Sequence, residues 1–206
     1  MLSIRPKWCA KIASGEKTIE VRKTKPNLET PFKAYIYCTM PDATNPYNIL
    51  ELHGADGKIR KINGKVVGEF TCDRIDRLAP ANDSYGIYDI DDDYVFQTRI
   101  ENGALWDYGR GTPLYGWHIS DLYIYDEARE LSEFRRWCPN SWYCESCAMY
   151  WGNNGTCGNE SLQIKRAPQS WCYVEREALE AALNHRLSFL MAENMDGSVD
   201  NEKTDV

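Results

Sequence analysis

The strongest constraint on how this chain folds comes from a short amphipathic segment, a glycine and a charged strand set end to end in its first residues. Pro6 stands where a first helical turn tolerates a missing N–H, and Trp8 and Ile12 fall one turn apart on a common face. Gly15 supplies the permissive backbone that ends a helix. Beyond it, Ile19 and Val21 alternate with Thr18, Glu20 and Arg22, so an extended strand buries the first pair and projects the other three together. Lys17 lies at the turn, where its long side chain can swing toward that polar face. The spacing predicts a helix over 6–14 and a strand over 17–23. It also sets a lysine, a carboxylate and a guanidinium in one strand-sized segment, where they can form a binding site, a catalytic site or a structural ion-pair network on a sheet face.

With 206 residues and 43% apolar content, the chain suits one domain with extensions, or one domain and a small appended module, with a sizeable core. Its 13 Tyr and 7 Trp fall in strand-like runs such as Tyr35-Ile36-Tyr37 and Leu122-Tyr123-Ile124-Tyr125. Rings with an apolar body and a polar tip fit a half-buried sheet. No apolar stretch is long enough to span a bilayer, and Met1-Leu2-Ser3-Ile4-Arg5 does not begin a signal peptide, so a soluble, cytoplasmic protein without a membrane partner is expected.

The net charge of −7 argues against a protein that coats nucleic acid indiscriminately. Its distribution says more. Residues 1–25 carry seven Lys/Arg against Glu16 and Glu20, a balance of +5, whereas the tail from Ala192 carries five acids against Lys203. Asp89, Asp91, Asp92 and Asp93 form a second acidic cluster, expected to be exposed. Positive charge is concentrated around the Lys17–Arg22 segment.

Further along, Phe32 to Thr39 reads as a buried strand, and residues 41–63 as a turn-rich stretch with hairpin signals at Asp56-Gly57 and Asn63-Gly64. Lys65 to Leu78 reads as one long strand. Residues 80–113 suggest an ordered loop with a helical turn or two. One or two strands are expected over 114–125, a short element over 131–136 and a closing strand over 171–175. Ala, Leu and Glu at helical spacing predict a terminal helix over 176–191, and 192–206 have too little apolar content to fold. The three histidines suggest surface or hydrogen-bonded roles. No serine–histidine–acid order or phosphate-cradling glycine loop appears, which weakens ordinary hydrolase and nucleoside-triphosphatase readings.

Eight cysteines divide into two sets. Cys9, Cys38, Cys72 and Cys172 lie singly in apolar or aromatic runs and are expected in the core. Cys138, Cys144, Cys147 and Cys157 fall within twenty residues of a Pro/Asn/Gly/Ser-rich segment, and Cys144-Glu-Ser-Cys147 has the gap that lets two thiolates meet one tetrahedral ion. In a reducing compartment such a cluster more often holds metal than disulfides, so a structural zinc is expected, with unligated thiols or disulfides as the other readings. Four thiolates leave no open position for catalysis. The ion would pin the 138–157 insertion.

Gly15, Lys17, Glu20 and Arg22 match the Gly-x-Lys-x-x-Glu-x-Arg signature of the ASCH domain family, a branch of the PUA-like superfamily, which the segment resembles without insertion. Gly64-Lys65-Val66-Val67-Gly68-Glu69-Phe70 looks like the family's central strand, and Tyr115-Gly116-Trp117-His118-Ile119 resembles its later aromatic strand. Pro168-Gln169-Ser170-Trp171-Cys172-Tyr173 resembles the closing strand of a phage-associated subgroup. The resemblance touches most of residues 1–175, its first motif being the specific one, and implies an α+β fold: a partly open PUA-like β-barrel with flanking helices, here with an inserted four-cysteine knuckle. It implies binding of RNA or a modified nucleobase in the cleft through Lys17, Thr18, Glu20 and Arg22. Some ASCH proteins are associated with RNA cleavage, so a ribonuclease, or a hydrolase of a base or nucleoside, using Lys17 and Glu20 is the alternative. The segment also resembles the bacterial acetylcytidine amidohydrolases. That group keeps the lysine but has a catalytic threonine where Glu20 stands, and a carboxylate cannot replace a hydroxyl nucleophile without changing the mechanism. A protein-interaction module built on the knuckle and the acidic tail is the remaining reading.

Overall fold

A computed structural model describes residues 1–41, 48–53, 57–81, 86–136, 138, 147 and 158–175. The expected helix at 176–191, the tail at 192–206, and Cys144 and Cys157 lie outside the described residues. The chain divides into two compact units, one of residues 1–133 and 163–173, the other of residues 134–162 and 174–206.

The first unit holds nine strands and three α-helices among its described residues. In chain order these are β1 (Leu2–Ile4), α1 (Pro6–Ala13), β2 (Ile19–Arg22), β3 (Phe32–Cys38), β4 (Glu51–His53), β5 (Ile59–Lys61), β6 (Lys65–Cys72), β7 (Ile75–Leu78), α2 (Asp92–Thr98), α3 (Asn102–Gly109), β8 (Leu114–His118) and β9 (Ser120–Arg129). One sheet runs β1-β3-β6-β9, parallel at β1/β3 and antiparallel elsewhere. A second, antiparallel throughout, runs β2-β8-β7, and β4 with β5 forms a small hairpin. The fold is thus α+β, with its strands in separate sheets rather than a closed barrel among the described residues.

The long strand expected over 65–78 is two strands. It breaks at Asp73-Arg74, so that β6 belongs to the four-stranded sheet and β7 to the three-stranded one. Ile119 makes the matching corner between β8 and β9, and the His118 N–H donates to the Arg74 carbonyl where the corners meet, 3.0 Å away. Apolar residues recur on both sides of the first bend, at Phe70, Cys72, Ile75 and Leu78, with no glycine or proline to mark the corner, which is why the 65–78 run reads as continuous in sequence.

Helix α1 begins with Pro6 at its first position and buries Pro6, Cys9 and Ile12, with Trp8 at the edge of that stripe. Gly15 at φ +75° carries the turn that ends it, as expected. Ile12 and Cys9 join Leu2 and Ile4 of β1, Ile36 and Cys38 of β3, Phe70 and Cys72 of β6 and Trp117 of β8 in one core. A second core forms on the other side of the three-stranded sheet, where Val21, Leu78 and Leu114 meet Tyr88 and Leu105.

The stretch 80–113, expected as an ordered loop with a helical turn or two, contains two short helices, of 7 and 8 residues. Asp91 is the N-cap of α2, its side chain accepting from the Tyr94 N–H at 2.8 Å, and Asp92 and Asp93 occupy the first turn. The acidic cluster is exposed, as expected, but it also starts a helix. The segment near 171 is not a regular strand. It lies beside β1 through a bridge from Leu2 to Trp171 and bonds from Ser3 N–H to Ser170 O and from Cys172 N–H to Met1 O. Cys9, Cys38 and Cys72 are buried, whereas Cys172 is only half-buried.

In the second unit, Arg136 bridges to Val174, and a 3₁₀ turn spans Glu160–Leu162. Cys138 is half-buried, its N–H donating to a Glu175 carboxylate oxygen at 3.4 Å, and Cys147 is exposed.

Candidate ligand-binding site

Strand β2 is buried along its whole length because both faces of its sheet are covered. Register fixes the assignment. Ile19 and Val21 pair with His118 and Gly116, while Glu20 and Arg22 pair with Trp117 and Tyr115. Glu20, Arg22 and Trp117 therefore share one face, opposite the Val21 core. The alternation anticipated from sequence is present, yet the polar face is as buried as the apolar one.

Lys17, Glu20 and Arg22 are 1%, 6% and 8% exposed and form one chain of charges. Lys17 Nζ lies 3.4 Å from one Glu20 oxygen, and an Arg22 terminal nitrogen lies 3.2 Å from the other. Lys17 also donates to the Thr98 carbonyl at 2.6 Å, a helix-end acceptor left unpaired by the last turn of α2. The same end of α2 holds the turn before β2: the Thr18 N–H donates to the Gln97 carbonyl and Arg99 Nε to the Glu16 carbonyl. Arg22 donates to the Ser3 carbonyl at 2.6 Å. Its Nε–H and the Trp117 indole N–H are buried with no hydrogen-bond partner among the described residues. Burial pushes the Lys17 ammonium below the ordinary lysine value of 10.5, with the Glu20 carboxylate pulling the other way.

Trp8 stands over this chain, its ring centroid 5.0 Å from Lys17 Nζ. From α3, Tyr108 feels the charges of Arg22 and Glu20, and burial first of all lifts its phenol above the ordinary value. The structure thus brings Lys17, Glu20 and Arg22 together, whereas the Thr18 side chain is exposed and takes no part in the charge chain. Two clefts lie among the described residues without being lined by the trio. One of about 510 Å³ follows α1 past Lys7, Lys11 and Glu16, and one of about 530 Å³ lies between Asp76 of β7 and Tyr94 of α2.

Sequence reading missed Thr98 and Ser3 as neighbours of the trio. No local signal marks them, because the contacts join residues far apart in sequence. It also left His118 without an assigned partner. His118 Nε2 lies 2.6 Å from an Asp76 carboxylate oxygen, and Arg74 Nε binds the other oxygen at 3.1 Å. Among the described residues no group of three or more His, Cys, Asp or Glu is placed to hold a metal ion.

No family model matches the sequence, and no curated protein does. Solved structures do match. The ASCH protein of Zymomonas mobilis superposes with a TM-score of 0.50 at 16% identity, covering 89% of this chain and 92% of the other. A single-site mutant of the same protein gives 0.50 at 15% identity, covering 89% and 93%. The architecture is therefore that of an ASCH fold, as the signature implies. No helix among the described residues is long and apolar enough to cross a membrane.

Proposed function

We propose that this chain binds RNA or a modified nucleobase at the Lys17–Glu20–Arg22 chain, as a phage-associated member of the ASCH family. The observation that carries the reading is the Arg22 Nε–H, a buried guanidinium donor without a partner among the described residues, beside a buried carboxylate. A base edge supplies what the pair lacks: a carbonyl or ring nitrogen to accept from Arg22 and an amino group to donate to Glu20. Buried ion networks are on balance no more stable than apolar packing of the same volume, so their stability alone gives no reason to keep this one. The likeness to an ASCH structure points the same way. Thr18 would contribute from the exposed end of the segment. A filter assay with short RNAs tests the site: Arg22→Ala should abolish retention, and equal retention by wild type and variant would remove Arg22 from the reading.

A specific observation favours a second reading. Burial lowers the Lys17 ammonium toward its neutral form, which is what a proton acceptor in a ribonuclease or a base or nucleoside hydrolase needs, with Glu20 orienting the substrate. Incubation with RNA and with acylated nucleosides, read by mass spectrometry, should then give Lys17-dependent products. Absence of product from both classes leaves binding alone.

For the second unit we propose a structural zinc held by Cys138, Cys144, Cys147 and Cys157. The donor chemistry fits: four thiolates match a closed tetrahedral site, and the thiols of Cys138 and Cys147 are not locked in a core. The knuckle and the acidic tail would then offer a surface for a protein partner, tested by a pull-down that fails when residues 138–157 are removed. A cytoplasmic setting belongs to this proposal, since it keeps the thiols reduced.

A further inference from the structure

We propose that Cys9 and Cys38 form a dithiol that a hydroperoxide oxidises to a disulfide, tying α1 to the end of β3. Both side chains lie in the core of the first unit, 4% and 0% exposed. Backbone pairing brings them to one point. Ile4 of β1 pairs in parallel with Cys38 of β3. The Ile4 carbonyl accepts both the Thr39 N–H at 2.9 Å and the Cys9 S–H at 3.5 Å, so the Cys9 sulfur is held beside the Cys38 backbone. The two thiols hydrogen-bond to each other there. Asn63 Nδ2 also donates to Cys38 Sγ, 3.9 Å away, and Asn63 is only half-buried, which leaves the Cys38 sulfur one side chain below the solvent.

Buried thiols are ordinarily inert, because burial disfavours the thiolate that reacts. Cys72, in the same core, follows that rule: burial, first of all, pushes its thiol up to about 12. Cys38 departs from it. The hydrogen bond from Cys9 holds the Cys38 thiol below its ordinary value and keeps Cys9 well above its own. Cys38 is therefore the attacking sulfur and Cys9 the resolving one. The Cys38 thiolate takes one oxygen of the hydroperoxide as the O–O bond breaks, giving a sulfenic acid; the other oxygen leaves as an alcohol or water, with the proton Cys38 had released. Cys9 then attacks the Cys38 sulfur, an S–S bond replaces the S–O bond, and the oxygen departs with the Cys9 proton as water. The dithiol loses two electrons and one hydroperoxide gains them. In a reducing compartment such a bond is transient, and thiol exchange restores both cysteines. Cys9 follows Trp8, whose ring stands over Lys17, so the bond restrains the helix that borders the buried charges.

The test exposes the full chain, reduced and folded, to excess hydrogen peroxide, then alkylates the remaining thiols as the protein is unfolded and maps its peptides by mass spectrometry. A Cys9–Cys38 cross-link should form and be reversed by dithiothreitol, while Cys72 is recovered alkylated. Cys9→Ser should give no cross-link and accumulate a Cys38 sulfenic acid, trapped with dimedone on unfolding. Cys38→Ser should give no such adduct at Cys9. Oxidation should raise the melting midpoint of the wild-type chain by about 5 °C, a rise that Cys9→Ser lacks. Wild-type protein in which Cys9 and Cys38 stay reduced, or in which Cys72 reacts as readily as Cys38, overturns the proposal, and that measurement needs neither variant to fold. A sulfenic adduct on Cys9 in Cys38→Ser overturns the assignment of the attacking sulfur, and a cross-link without the thermal rise overturns the restraint on α1.

Discussion

Glu20 is the one anion between two buried cations, so each of its oxygens satisfies a different positive charge. Glu20→Gln leaves Lys17 and Arg22 buried without that charge, and we expect it to cost about 3–5 kcal/mol in urea denaturation at neutral pH. The sign of its pH dependence follows from Lys17, whose folded value already lies below 10.5. A lysine depressed in the folded state sheds its proton before the unfolded chain does, so stability rises with pH from the folded value up to the ordinary one. Without Glu20 that window extends further down. The deficit of Glu20→Gln relative to wild type should therefore shrink as pH is raised from neutral toward 10; a constant deficit would mean that Lys17 does not titrate with folding. The identities of the trio were legible in the sequence because signature and alternation both point to them. Their burial was not, since a strand covered on both faces looks the same in sequence as one covered on a single face until the second layer is known.

At the scale of elements, α2 is seated on β8 through a missing side chain. A Cβ on Gly116 would fall on the Tyr94 hydroxyl and lie 3.0 Å from Ile19 Cγ2. Gly116→Ala should destabilise by about 1–3 kcal/mol, and Tyr94→Phe in the same chain should restore part of the loss, because the hydroxyl is the nearest atom and has no hydrogen-bond partner among the described residues. Simple additivity in that double-mutant cycle would show that the helix is seated elsewhere. This geometry also explains why α2 escaped sequence reading. The helix is short and amphipathic only in relation to a sheet supplied by other parts of the chain, although the Asp91 cap and the acids after it were a readable start signal. β1 was missed for a similar reason: its three residues become a strand only by pairing in parallel with β3, far along the chain.

For the whole molecule, the tyrosines set the alkaline limit. Burial raises Tyr94 and Tyr125 far above the ordinary value of 10.0, with Asp76 adding to the first and Glu69 to the second. A phenol raised in the folded state contributes stability that is present below 10 and is lost as pH climbs toward the folded value. Unfolding followed by phenolate absorbance should thus become steeply easier above about pH 10, and Tyr125→Phe should flatten the curve. The second unit makes a separate prediction. Protein purified under reducing conditions should contain one zinc per chain by elemental analysis, and chelation should lower one thermal transition while sparing the other. Metal-free protein with an unchanged melting profile removes the zinc.

Sequence by itself determined the helix–glycine–strand opening, the Lys17, Glu20 and Arg22 identities, the aromatic strands and the ASCH likeness, because each is written in local spacing and residue chemistry. Only the tertiary structure decided that the 65–78 run turns a corner into a second sheet and that Thr98 and Ser3 complete the charge chain. Those outcomes depend on pairing residues remote in the chain, and no periodicity within a short window encodes which remote partner will arrive.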